Sequence, residues 1–422
     1  MSSKIAIIGT GYVGLTTGAC FAHIGHQVVC ADIDPGRVER LSQGILPIYE
    51  PGLQEVVEAG IASGRLRFVV GAAEAAKDCE FAYLCVQTPQ GDDGSADLTY
   101  LQAAAAEIGP VLPARAIVVN KSTVPVGSTK VVERVMGRHD VSVVSNPEFL
   151  REGQAVNDFL HPDRVVIGSD DASAATRVAN LYSATSGHLI VTDPASAETI
   201  KYAANAFLAT KISFINAVAA VCEAVGADVS DVVLGLGYDK RIGHEFLKPG
   251  PGWGGSCFPK DTKAMVRIAE DAGYDFNLLK GVVIVNDEQR ERMIEKVRIA
   301  VGGDLNGAVV AAWGLTFKAN TDDLRDSPAI AIISELTSRG VTVNAYDPQV
   351  AGHATINTST DPYDVCDGAH ALIVLTEWDE FRWLDLIQVK ARLAKPNIVD
   401  TRNLLDRSAA LRAGFTYQGV GR

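Results

Sequence analysis

At 422 residues, 47% hydrophobic and 21% charged, the chain is too long for one core and too apolar to be disordered, so two or three globular domains are expected. A net charge of −13 without a basic run argues against nucleic acid as a partner, and no run of about 20 consecutive apolar residues marks a membrane span. Seven cysteines, odd in number and without a CxxC pair, point to a reducing, cytoplasmic setting with neither disulfides nor a metal site, and because Met1-Ser-Ser-Lys4 leads straight into a strand no signal peptide is expected.

Strands are expected at residues 4–9, 27–32, 67–70, 80–86, 115–120, 142–145 and 164–168, with helices at 12–25, 98–108 and 126–136. Alternation at this spacing implies a mostly parallel sheet covered on both faces. Asp193 can cap a helix whose first turn accepts Pro194, and 195–224 then runs on without a breaker, with Phe207, Ile212, Ile215, Val218 and Val221 at helical spacing. A helical stretch follows to about Val301. Beyond Gly302-Gly303-Asp304, strands at 309–313, 342–346, 371–375 and 397–400 and a helix at 327–339 restore the alternation. The expected fold class is α/β: two Rossmann-like doubly wound sheets joined by a long central helix and a helical domain, divided at 1–193, 194–302 and 303–422.

Gly9-Thr10-Gly11-Tyr12-Val13-Gly14 sits between the first strand and the first helix. Gly9 permits the tight turn, Gly11 lets backbone approach a pyrophosphate, and Gly14 lets helix and sheet pack closely. The helix N-terminus adds unsatisfied N–H groups and a positive dipole end. The second strand ends on Asp32, whose carboxylate suits ribose hydroxyls and repels a 2′-phosphate, so the cofactor expected is NAD; Arg37 nearby belongs to the adenosine side.

Gly254-Gly255-Ser256-Cys257-Phe258-Pro259-Lys260-Asp261 places a cysteine just ahead of a helix that Pro259 starts and that runs to about 272. The helix dipole and Lys260 favour a thiolate there, and Asp261 lies on the same face. An isolated cysteine is ordinarily a small buried hydrophobe, and Cys20, Cys30, Cys79, Cys85, Cys222 and Cys366 are read that way. Lys201 and Asn205, one turn apart among Ala and Phe, form either a catalytic ammonium–amide pair or a solvated helix face. Asn146-Pro147-Glu148-Phe149-Leu150-Arg151-Glu152-Gly153 follows a strand end, where open α/β sheets carry their sites; its acids position water or are surface acids on a loop.

Taken together these motifs resemble the UDP-glucose 6-dehydrogenases over nearly the whole chain. The resemblance is carried by GxGYVG at 9–14, Pro47-Ile48-Tyr49-Glu50-Pro51-Gly52, Thr88-Pro89, Lys121-Ser122-Thr123-Val124-Pro125, Asn146 to Gly153, Lys201 to Phe207, Arg241-Ile242-Gly243, Gly254 to Asp261, Phe317-Lys318 and Arg325. It implies NAD-dependent four-electron oxidation of UDP-glucose to UDP-glucuronate. Lys201, helped by Asn205 and Asp261 through water, would deprotonate the 6-hydroxyl. Cys257 would carry a thiohemiacetal and then a thioester, and Glu148 would help water hydrolyse it, supported by Glu152 and Thr123.

The resemblance assigns NAD to Gly9, Gly11, Tyr12, Val13, Gly14, Asp32, Arg37, Val86, Thr88, Pro89, Thr123, Glu152, Lys260 and Arg325. It assigns the substrate to Phe149, Leu150, Arg151, Glu152, Lys201, Asn205, Phe246, Leu247, Lys248, Pro249, Gly250, Gly254, Phe317, Lys318 and Arg402, with Arg241 reaching the neighbouring subunit of a homodimer formed through the central helical region. Lys248, Lys318 and Arg402 form the positive cluster a diphosphate needs in an acidic protein. The competing readings are the same chemistry on UDP-N-acetylmannosamine or GDP-mannose, and a non-catalytic NAD-binding protein.

Overall fold

The N-terminal alternation produces an eight-stranded sheet in the computed structural model, which describes residues 2–91 and 96–422. Its strands are β1 (Lys4–Ile8), β2 (Gln27–Asp32), β3 (Leu66–Val70), β4 (Phe81–Leu84), β5 (Ile117–Asn120), β6 (Ser142–Ser145), β7 (Arg164–Gly168) and β8 (His188–Thr192), in the order β3-β2-β1-β4-β5-β6-β7-β8. The order reverses between β1 and β4, the switch point at which doubly wound sheets bind ligands. β4 and β5 are buried along their whole length, as expected of strands covered on both faces.

The sheet is mostly parallel, as expected, and two features go beyond the sequence reading. The pairing of β6 with β7 is antiparallel, so β7 and β8 run opposite to the rest. β8 was not expected; it is an edge strand on which Leu189, Ile190 and Val191 are all exposed, so no inside–outside alternation marks it. Strand ends also move in a way that matters: β4 stops at Leu84, which leaves Val86, Thr88 and Pro89 in the loop at its carboxyl end.

The second sheet comprises β9 (Val309–Trp313), β10 (Thr342–Tyr346), β11 (Asn357–Thr358), β12 (Ala371–Val374), β13 (Asn397–Asp400) and β14 (Thr416–Gln418). All its pairs are parallel, and the order β11-β10-β9-β12-β13-β14 repeats that of the first six strands of the first sheet. The fold is therefore two Rossmann-like sheets with a long helix and further helices between them in the chain.

That helix, Pro194–Val225, is 32 residues long, and Asp193 caps it by accepting from the Ser196 N–H at 2.8 Å. It is the one helix among the described residues long and apolar enough to cross a membrane by length and composition. The expectation that no segment would reach that threshold counted uninterrupted apolar residues, and this helix passes on average hydropathy. Its buried polar side chains are bonded to the rest of the protein: Glu198 accepts from the Gly127 and Thr129 N–H groups, and Ser213 donates to the Val282 carbonyl. Its polar groups are thus satisfied within the protein, while only a third of its most apolar stretch is buried.

By contact the chain falls into two units, one of residues 1–204 with 263–272 and one of residues 205–262 with 273–422. Each holds its own apolar core, residues such as Phe21, Tyr83 and Ile167 filling the first and Ile215, Val297 and Ile333 the second.

Candidate active site

In the first unit the fingerprint turn has the geometry its glycines anticipate. Gly9 adopts φ +99°, and a Cβ there would stand 2.6 Å from the Cys85 carbonyl. A Cβ on Gly14 would come within 2.0 Å of the Gly9 carbonyl, so only glycine closes the helix on the strand. Gly11 is different: it is exposed, and a Cβ would meet nothing within 4 Å. The space in front of it is open, and no side chain caps the helix Tyr12–His23 that it starts. Those are the conditions for an anion at a helix N-terminus. Asp32, ending β2, accepts from the Thr10 N–H at 3.1 Å and the Thr10 hydroxyl at 2.5 Å, with Arg37 3.8 Å away. Burial pushes its carboxyl up, but the hydroxyl, the amides and Arg37 outweigh that and hold it below the usual range.

The loops beyond β4 and β5 are tied together. The Ser122 hydroxyl donates to the Val86 carbonyl at 2.6 Å and the Thr88 hydroxyl to the Thr123 carbonyl at 2.8 Å, while Pro89 stays exposed. The turn after β6 carries Glu148, which is buried and receives the Lys201 ammonium at 2.8 Å and the Leu150 N–H at 2.7 Å. Burial raises its carboxyl, but Lys201 above all returns it to below the ordinary range. The Phe149 ring lies under Lys201 at 5.5 Å and under Arg164 at 3.8 Å. Glu152 is half-buried, and Arg151 is bidentate to Asp158. Lys201 is therefore not on a solvated face; it is buried against Glu148.

Sequence reasoning gave Glu50 no role, although its motif stood out. It is buried, hydrogen-bonded to the Tyr12 hydroxyl, and accepts from the Gly153 N–H at 2.6 Å and the Ala155 N–H at 2.8 Å. It thus clamps the end of the Glu148–Glu152 turn. Burial, and then Glu50, push the Tyr12 phenol well above its usual range, so it stays a neutral donor.

In the second unit Cys257 directly precedes the helix Phe258–Asp271, its carbonyl accepting the Asp261 N–H at 2.8 Å. It is partly exposed, whereas the other six cysteines are buried and all seven are free thiols. Asp261 is fully buried and bridges Lys260 at 2.7 Å and the Asn205 amide at 2.6 Å. The two glycines before the cysteine are sterically required. A Cβ on Gly254 would lie 2.0 Å from the Asp326 carbonyl, and one on Gly255, at φ +80°, 2.7 Å from the Phe317 ring.

Arg402 donates to the Leu375 carbonyl at 2.8 Å and the Phe317 carbonyl at 3.0 Å and lies 3.6 Å from where a Cβ on Gly250 would stand. That groups Arg402, Phe317 and Gly250. Lys318 lies over the Phe317 ring at 5.4 Å. Phe246 (φ +61°), Asn320 (φ +64°), Asp326 (φ +46°) and Asn403 (φ +49°) are non-glycine residues in the left-handed region, all within or beside these loops.

The segment Leu247 to Trp253 is held by buried amides that nothing in the sequence advertised. Asn216 accepts from the Gly250 N–H, Gln289 donates to the Gly250 carbonyl, Asn286 pairs with both backbone groups of Trp253, and Ser213 accepts from its indole. Within this braced segment Lys248 is exposed and Pro249 half-buried. Arg241 and Arg325 stand apart: each is exposed and bidentate to the aspartate two residues before it, Asp239 and Asp323.

Comparison with known proteins adds to this geometry. Residues 3–186 match the NAD binding domain model of the UDP-glucose/GDP-mannose dehydrogenase family, residues 195–288 its central domain and residues 311–407 its UDP binding domain. The chain is 46% identical to the UDP-glucose 6-dehydrogenase TuaD of Bacillus subtilis, with 99% of this chain and 93% of that one aligned. Its fold is similar to that of a UDP-glucose dehydrogenase from Pyrobaculum islandicum, with a TM-score of 0.92 and 38% identity over 100% of this chain and 98% of the other. It is also similar to a UDP-D-ManNAc dehydrogenase from Pyrococcus horikoshii, with a TM-score of 0.89 and 27% identity over 99% of each chain.

Proposed function

The chain belongs to the UDP-glucose/GDP-mannose dehydrogenase family, and from that premise we propose that it oxidises UDP-glucose to UDP-glucuronate with Cys257 as covalent nucleophile. The observation that carries the reading is the setting of Cys257: a partly exposed thiol at a helix N-terminus, behind two glycines that admit no side chain, backed by the Asn205–Asp261–Lys260 chain.

NAD, when bound, takes up the hydride in each of two oxidations. The fingerprint turn fits its pyrophosphate in the open space at Gly11, and Asp32 fits a ribose. Val86, Thr88, Pro89, Thr123, Arg37, Lys260 and Arg325 are the further cofactor contacts of this reading. Lys248, Lys318 and Arg402 hold the UDP diphosphate, with Phe317 and the 246–250 segment around the nucleotide and Phe149 to Glu152 beside the sugar. Lys201 takes the proton of the 6-hydroxyl as the first hydride leaves. The Cys257 thiolate adds to the aldehyde, making a C–S bond and a thiohemiacetal, and loss of the second hydride leaves a thioester. Glu148 takes a proton from one water, whose oxygen adds to the thioester carbon and expels the thiolate as the acid forms; Glu152 and Thr123 support that water. Four electrons leave the carbon, two to each NAD.

A division at 1–193, 194–302 and 303–422 assigns NAD binding, dimerisation and UDP-sugar binding to successive parts, in line with the three matched spans. Phe207, Phe214 and Val221 are exposed at seven-residue intervals on the long helix, which suits a homodimer through the central part and brings Arg241 to the neighbouring subunit. Seven free thiols suit the cytoplasm.

Incubation with UDP-glucose and excess NAD should give two NADH per sugar consumed. One per sugar would remove the acid-forming mechanism. None, with turnover of UDP-N-acetylmannosamine or GDP-mannose instead, would reassign the substrate.

A further inference from the structure

Lys121 is buried, and its ammonium donates only to uncharged acceptors, Asn146 Oδ1 at 3.2 Å and the Tyr182 hydroxyl at 3.3 Å. The Tyr182 hydroxyl in turn donates to the same Asn146 oxygen at 2.6 Å, and the Asn146 amide donates to the Val166 carbonyl at 2.8 Å. Among the described residues Lys121 forms no ion pair. An ammonium buried among neutral partners costs stability.

Its surroundings show where that charge acts. Asn146, to which Lys121 is bonded, begins the turn that carries Glu148. Three cations act on Glu148 from three elements: Lys201 on the long helix by direct contact, Lys121 after β5, and Arg164 at the start of β7. Burial pushes the Cys85 thiol at the end of β4 up to about 12 and the Tyr83 phenol well above its usual range, so both stay neutral. The carboxylates on this side are already matched: Asp163 acts on Arg164, and Asp158, which lines the same cavity as Lys121, is held by Arg151.

The buried Glu148–Lys201 pair shares one proton in its resting form. To act as a base, Lys201 must be an amine beside a carboxylate, a pair of net charge −1 in a poorly solvated place. Lys201 cannot supply the compensating charge, because its own charge is what is lost. A fixed cation close by stabilises the −1 state relative to the protonated pair.

We propose that Lys121, with Arg164 as a more distant second cation, is a positioning residue whose charge lets the Glu148–Lys201 pair give up its shared proton and become the base of the first oxidation. This rests on the reading of Lys201 as that base. Neither cation touches the reacting atoms; both act through the pair.

The test is the pH dependence of kcat/KM for UDP-glucose, read as NADH formation. Lys121→Met keeps an unbranched side chain one atom shorter and removes its charge. The ascending limb should move to higher pH by about one unit, so that rates below the wild-type midpoint fall about tenfold while those on the alkaline plateau approach wild type. Lys121→Arg should leave the limb in place. Should Lys121→Met not fold, Arg164→Gln gives the same test, with a shift in the same direction of about half a unit. A limb that stays put in a folded, charge-removed variant, with rates lowered equally at every pH, would mean a purely structural lysine and overturn the proposal. A wild-type protein inactive on UDP-glucose would instead overturn the reading beneath it.

Discussion

The two sheets share a strand order and use the turn after their first strand in opposite ways. After β1, Gly9 at φ +99° donates its N–H to the Ala31 carbonyl at 2.8 Å, and a helix begins at once at Tyr12. After β9, Gly314 at φ +99° donates to the Tyr346 carbonyl at 2.7 Å, but the helix waits until Pro328. The intervening loop carries Phe317, Lys318 and Arg325. A carboxylate answers each turn from the next strand along. Asp32 binds Thr10 and stays half-buried; Asp347 is buried and saturated by the Leu315 and Thr316 N–H groups, the Thr316 hydroxyl and the Trp378 indole. One backbone frame thus becomes a phosphate cradle when its turn is short and its acid reachable. It becomes an anchored substrate loop when the turn is long and the acid is spent on holding it.

Substitutions at matched positions separate the two uses. The largest effect is expected from Gly14→Val, whose side chain would overlap the Gly9 carbonyl: about 3 kcal/mol of stability or more, together with NAD binding. Denaturant unfolding with and without NAD measures both, and a variant of normal stability would mean that the helix does not need that close approach. Next is Asp347→Asn, which keeps one acceptor oxygen but sets an NH2 against the Gln349 N–H that the other oxygen receives, and should lower stability by about 2 kcal/mol while leaving the NAD-to-NADP preference unchanged. A changed cofactor preference there would erase the contrast.

Asp32→Asn should do the reverse, raising relative use of NADP about tenfold at a stability loss near 1 kcal/mol. Because the Asp32 carboxyl is held below its usual range, the stability it lends is complete above the ordinary carboxylate pKa and fades as pH falls through the folded value. The deficit of the variant should therefore shrink below about pH 4; a deficit that grew on acidification would contradict the assignment. Smallest in stability is Gly11→Ala. With open space at that position, unfolding should shift by no more than about 0.5 kcal/mol while the KM for NAD rises, and an unchanged KM would remove the pyrophosphate from Gly11.

Much of this was legible in the chain because it rests on local rules. The fingerprint turn, the capped start at Pro194 and the glycines before Cys257 are each fixed by neighbours within a few residues. What escaped depends on partners far along the chain. The direction of β7 is set by which strand it meets, and β8 lacks the buried face that periodicity detects. Asn216, Asn286 and Gln289 are ordinary helix residues in sequence; only the fold brings them to the 250–253 backbone, more than 30 positions away. Glu50 and Lys121 lay within motifs that stood out, yet their work on the Glu148 turn appears only once β5, β6 and the fingerprint helix are placed.

Covalent capture by Cys257 can be observed directly. In a Glu148→Gln variant, where hydrolysis is slowed, incubation with UDP-glucose and NAD followed by acid quench and peptide mass mapping should show a UDP-sugar acyl adduct on the peptide containing Cys257. Continued acid formation with no adduct on that residue, or an adduct on any of the six buried cysteines instead, would contradict it.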